Sequence, residues 1–107
     1  MIEPGKSLKK KLRVLASLAH ERELQIALAE LETQFASWRA GTLTALELTE
    51  KVHQFHDGAS RDLYQRYVAG EPAWAVAYAI IKSHVSKEEA GPEAMEFLAS
   101  RIQVLSY

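Results

Sequence analysis

The stretch Pro72-Ala-Trp-Ala-Val-Ala-Tyr-Ala-Ile-Ile81 decides the fold. On a helix, Trp74, Tyr78 and Ile81 mark one side, Val76 and Ile80 a second, and Ala75 and Ala79 a third. A helix that is apolar nearly all round belongs in the middle of a bundle, where its alanines let neighbouring helices approach closely. The pattern predicts a central helix over residues 72–84, with Ile81 in the core. Nothing in the chain alternates with period two for long enough to suggest a strand.

Outward from this helix, glycine and proline mark the expected ends of the others. Gly41, Gly58, Gly70 and Gly91 each stand between periodic segments, and Pro72 and Pro92 follow two of them. Glycine just past one helix and proline just inside the next is the usual asymmetry. Downstream, Ser86-Lys-Glu-Glu89 has the form of a capping box, but Gly91-Pro92 limits it to one turn. A last helix over residues 92–105 then turns Met95, Leu98, Ile102 and Leu105 inward. Upstream, a helix over residues 59–69 buries Leu63, Tyr64 and Tyr67 and exposes Arg61, Asp62, Gln65 and Arg66. Asp57-Gly58 reads as the turn before it, with Asp57 or Ser60 as the cap. Thr44-x-x-Glu47 is a second capping box, opening a helix that ends near Phe55 or His56 and buries Leu48, Val52 and Phe55.

The first segment, residues 7–40, carries two apolar stripes. Leu8, Leu12, Leu15 and Ala19 form one; Leu24, Leu28, Leu31, Phe35 and Trp38 form the other. They slip out of register near His20-Glu21, so one helix swings its face there or two helices meet there. A single helix of this length spans about 50 Å, more than a small domain is wide. Part of its stripe then needs a cover, and a second copy of the chain is the simplest. Leu24, Leu28, Leu31, Phe35 and Trp38 are therefore the candidate interface of a homodimer or higher homo-oligomer. The reading is all-α: a compact bundle of four to five helices with a long N-terminal helical segment, one domain over residues 1–107, with residues 1–6 frayed.

Composition narrows the function classes. The 107 residues are 48% hydrophobic and 25% charged with a net charge of −1, close to the globular average. With no cysteine, disulfide frameworks and thiolate metal sites are excluded. The longest uncharged apolar run, Ala73 to Ile81, is far short of the roughly 20 residues that span a bilayer. The apolar run from Val14 to Ala19 is too short for the roughly 7–15-residue core of a secretory signal, which points to a cytoplasmic protein. Lys6, Lys9, Lys10, Lys11 and Arg13 make the start basic beside an acidic body. Such an arm could meet nucleic acid or a membrane surface. Five cations are few for nucleic-acid binding. A helix-turn-helix over residues 59–84 fails too, because its recognition helix would offer Ala, Trp, Val and Ile to the bases.

One polar constellation stands out. Glu50-x-x-His53-x-x-His56-Asp57 has ligand-like spacing, since residues three apart on a helix are neighbours. It lacks the second Glu-x-x-His and extra glutamates of a di-iron bundle, and it is no His-Glu-x-x-His zinc motif. No metal and no cofactor are therefore expected; were a metal held, His53, His56 and Asp57 would be its ligands, with Glu50 next. With Arg61 and Tyr64 added, the same residues could bind a small anion or do acid–base work. They could equally lock the helices together, with Arg61 pairing to Asp57 or to a carboxylate on another helix. The aromatics Trp38, Tyr64, Tyr67, Trp74 and Tyr78 read as core rather than as a base-stacking platform.

The segment Trp38-Arg-Ala-Gly-Thr-Leu-Thr-Ala-Leu-Glu-Leu, with His53-Gln-Phe-His-Asp-Gly and Arg61-Asp-Leu-Tyr-Gln-Arg-Tyr67, resembles a group of short bacterial all-helical proteins to which no activity is attached. The resemblance covers residues 24–90 and implies a helical fold, not a function. The leading functional expectation is a non-enzymatic interaction or assembly protein that self-associates. Beside it stand a small ligand-binding, even enzymatic, protein using His53, His56, Asp57, Arg61 and Tyr64, and a regulator whose basic arm touches nucleic acid or membrane.

Overall fold

The structure, a computed structural model, describes residues 5–107. It is all-α. Helix α1 spans Lys6–Arg39, α2 Ala45–Phe55, α3 Arg61–Tyr64, α4 Pro72–Ile81 and α5 Lys87–Leu105. Gly5 precedes α1 as its N-cap and Lys6 is its first helical residue; residues 1–4, on which most of the expected fraying falls, lie outside those described.

The first segment is one helix of 34 residues, about 51 Å at 1.5 Å per residue. It sets the long dimension of a molecule measuring 56 × 28 × 23 Å. The radius of gyration, 17.2 Å, exceeds the ~13 Å of a spherical domain of this length. The bundle is thus elongated. At one end α1, α4 and α5 pack into a body, and at the other α1 and α2 run on as a two-helix arm.

Both capping boxes form. The Thr44 N–H donates to Glu47 Oε1 at 3.0 Å, and the Glu47 N–H donates to Thr44 Oγ1 at 3.1 Å. Ser86 and Glu89 do the same at 2.9 and 3.0 Å. Helix α5 is interrupted after one turn at Gly91, whose φ of 82° lies in the left-handed region. Glycine carries no Cβ to clash there.

The expected turn at Asp57-Gly58 is absent. The chain stays helical from Ala45 to Ala69, with π-helical turns at His56–Ser60 and Gln65–Ala69 on either side of α3. Ser60 is right-handed and its side chain caps nothing. A π turn absorbs one extra residue without breaking a helix. The inward line runs Phe55, Ser60, Leu63 and Tyr67, and its five-residue first step is that extra residue. At the end of the rod the backbone is crowded: a Cβ on Gly70 would lie 2.7 Å from the Arg66 carbonyl oxygen.

The core joins Leu8, Leu12, Leu15, Ala16 and Ala19 of α1 to Leu63, Tyr67, Val76, Ile80, Val85 and Leu98. Helix α4 is central, as its composition predicts, packing on both α1 and α5. Its buried residues are Ala73, Ala75, Val76, Ala77, Ala79 and Ile80. Ile81 is only half-buried and Trp74 is exposed; on the Trp74 side the neighbours are cationic side chains, Arg101 over Trp74 and Arg66 over Tyr78. The helix stops at Ile81, three residues early. Ser83, at φ 64°, turns the chain back, and the His84 N–H donates to the Ala79 carbonyl. Tyr64, Val52 and Leu105 are exposed rather than buried. Tyr64 lies on the side of the rod away from α1, Val52 lies on an arm with one neighbour, and Leu105 closes the last turn of α5.

Candidate functional site

Three surfaces could carry function. The first was not singled out from sequence. Where the body meets the arm, Glu23 of α1 is nearly buried, with its side chain 15% exposed. The Tyr67 hydroxyl donates to Glu23 Oε2. Arg66 Nη1 lies 3.5 Å from the same oxygen, and His84 Nε2 lies 3.4 Å from the other. His20 stacks on Tyr67 with ring centroids 5.7 Å apart, and the Arg66 guanidinium sits 4.0 Å above the Tyr78 ring. Beside it, Arg22 clamps Glu89 through two hydrogen bonds of 2.8 and 2.6 Å, and also donates to the His84 carbonyl at 2.8 Å.

The electrostatics follow from this packing. Burial, and then the neighbouring Glu23 carboxylate, push the Tyr67 phenol well above its ordinary value. Tyr67 is thus held as a protonated donor. The Arg22 clamp, followed by the Ser86 N–H, lowers the Glu89 carboxyl to about 2. Tyr67 is thus fixed as a donor and Glu89 as an anion rather than poised to exchange protons. A hollow of about 340 Å³ opens beside them, lined by Glu23, Asp62, Arg66, Tyr78 and His84 among others. The arrangement ties α1 to the rod and to the α4–α5 loop. One signal could have found it: the stripe Leu8, Leu12, Leu15, Ala19 continues four residues on to Glu23.

The second surface is the predicted polar corner. His56, Asp57, Arg61 and Tyr64 do come together, lining a groove of about 500 Å³ on the outer side of the rod. His53 and Glu50 do not line it; both are exposed on α2. Without a turn the groups lie along a helix face instead of closing a corner. Among the described residues, Arg61 makes no ion pair with Asp57 or any other carboxylate, so the expected lock is not made. No three His, Asp or Glu side chains among the described residues converge as metal ligands.

The third surface is the arm. Of the five candidate interface residues, Leu24 is half-buried against the core. Leu31 and Phe35 are half-buried, while Leu28 and Trp38 are 49% and 43% exposed. Leu46 of α2 is 86% exposed. Alongside α1 runs an open hollow of about 840 Å³ whose lining includes Leu28, Leu31, Phe35 and Ala36.

No helix among the described residues is long and apolar enough to cross a membrane. Comparison of the chain with protein-family models, with curated proteins and with solved structures finds no match.

Proposed function

We propose that the protein is a non-enzymatic helical interaction and assembly protein, and that its arm pairs with a second copy of the chain. The observation that carries this reading is the uncovered apolar surface of the arm: Leu28, Trp38, Leu46 and Val52 are all more than a third exposed. Leu28 borders the open hollow along α1 that Leu31, Phe35 and Ala36 also line, and apolar surface gathered in one place marks an interaction site. Two helices alone can bury only one stripe each, whereas two hairpins together make a four-helix bundle with an interior. A cytoplasmic setting belongs to the same proposal, in keeping with a cysteine-free chain.

Sedimentation equilibrium at tens of micromolar tests it. A mass near twice the 12.0 kDa of the chain supports the reading; a monomer mass refutes it. Leu28→Glu should dissociate the dimer, whereas Gln103→Glu, on the exposed side of α5, should not. A second reading rests on the groove of His56, Asp57, Arg61 and Tyr64: there the protein binds a small anion. Calorimetric titration with inorganic phosphate, compared between the wild type and Arg61→Ala, tests that reading.

A further inference from the structure

The hollow along the arm is lined by one face of α1, including Leu28, Leu31, Glu32, Phe35, Ala36 and Arg39. Steps of three and four residues keep these side chains in one line. Within the line Leu31 and Phe35 are half-buried, while Leu28, Glu32, Ala36 and Arg39 are exposed. Two opposite charges lie in it seven residues apart, roughly 10 Å along the axis. Neither has a partner on its own helix. The α1 neighbours of Glu32 at three and four residues are Leu28, Ala29, Phe35 and Ala36, and those of Arg39 within the helix are Phe35 and Ala36. Among the described residues, neither Glu32 nor Arg39 forms an ion pair.

Resting on the self-association proposed above, we infer that the second copy docks antiparallel on this face, with the two-fold axis passing between Phe35 and Ala36. Reversal about that point sets Glu32 of each protomer opposite Arg39 of the other. It also sets Phe35 opposite Ala36 and Leu31 opposite Ala40, so these two large side chains each meet a small one, while Leu28 faces the chain just past the end of the other α1. A two-fold contact repeats every pairing, and one helix face thus supplies two ion pairs and four large-against-small contacts. A parallel copy would oppose glutamate to glutamate and arginine to arginine, so the charges select the antiparallel arrangement. The complementarity is of the face with itself, which is why the occupant is a second copy rather than a foreign helix.

Charge exchange tests the register. Sedimentation equilibrium is run on the wild type, Glu32→Arg, Arg39→Glu, the double variant and an equimolar mixture of the two single variants. Circular dichroism checks that each variant stays helical. Each single variant should weaken self-association by roughly tenfold or more, since like charges then face each other. The double variant should regain it, and the mixture should form a heterodimer with both pairs restored. If the wild type is a monomer, the self-association reading itself fails. If the wild type dimerises but the single variants do so equally well, self-association stands and this register is overturned. Weakened single variants that neither the double variant nor the mixture rescues also overturn the pairing.

Discussion

Tyr67→Phe removes one hydroxyl from the junction of arm and body and leaves the rest of a side chain that is only 6% exposed. The hydroxyl donates to the Glu23 carboxylate, and a hydrogen bond to a charged group contributes a net ~1.5–3 kcal/mol. Glu23 would keep Arg66 and His84, so no buried charge is orphaned and the lower end applies, about 1.5 kcal/mol. At about 2.1 cal/mol/K per residue, this lowers the midpoint of thermal unfolding by about 6–7 °C. Urea unfolding at pH 7 measures the loss, at one protein concentration so that self-association does not enter. A double-mutant cycle with Glu23→Gln separates the bond from other effects. The alkaline limb gives a second reading. The phenol's value is raised above its ordinary 10.0 on folding, so above that pH the unfolded chain has shed a proton that the folded chain still holds. The stabilisation is therefore complete below pH 10 and declines as pH rises further. Tyr67→Phe should flatten that decline. A loss under about 0.5 kcal/mol, below what a net hydrogen bond contributes, or a coupling of zero in the cycle, would show that the contact contributes nothing.

Leu98→Ala, at a fully buried position, should cost about 2–5 kcal/mol in urea unfolding. Ile81→Ala, at a half-buried one, should cost less than about 2 kcal/mol. Gly58 is right-handed with open space around it, so Gly58→Ala should stabilise by about 0.4–1 kcal/mol; destabilisation would mean that a turn forms there after all. Gly91→Ala, forced to a φ of 82°, should instead cost about 1–2 kcal/mol. Glu89 is lowered from 4.5 to about 2 on folding, so its contribution is complete above pH 4.5 and is lost as pH falls toward 2. An acid titration followed by circular dichroism should show that slope in the wild type and a shallower one in Arg22→Ala.

Much of the fold was legible because it is written in local chemistry. The two capping boxes depend on residues three apart, and both form. The alanine-rich, apolar α4 could be stable only between other helices, and it lies there. Gly91-Pro92 could not continue a helix, and the interruption falls at Gly91. The errors arose where tertiary packing decides. Asp57-Gly58 has turn chemistry, but Gly58 tolerates a helix as well as a turn, and packing of Leu63 and Tyr67 against α1 keeps the rod continuous. Tyr64 and Tyr67 are equally apolar by type. Tyr67 follows Leu63 by four residues onto the buried side, and the π turn at His56–Ser60 sets the phase of that side relative to α2, which no α-helical spacing contains.

The site was less legible for a related reason. Sequence spacing groups residues that share a helix, so it singled out His53, His56 and Asp57, which lie along one exposed rod. Glu23 takes its partners from positions 66, 67 and 84, and no local pattern joins those. What the sequence did show was the defect that makes room for them. The stripe of the body would continue at Glu23, while the stripe of the arm begins one residue later at Leu24. A carboxylate on the core line needs donors to offset its desolvation. The long helix can cross from body to arm without a break because Tyr67, Arg66 and His84 supply them. Beyond that crossing α1 runs alongside the α2–α3 rod. The register slip that admits Glu23 to the core line is thus the same feature that turns Leu28 and Phe35 toward the face on which a second chain is proposed to dock.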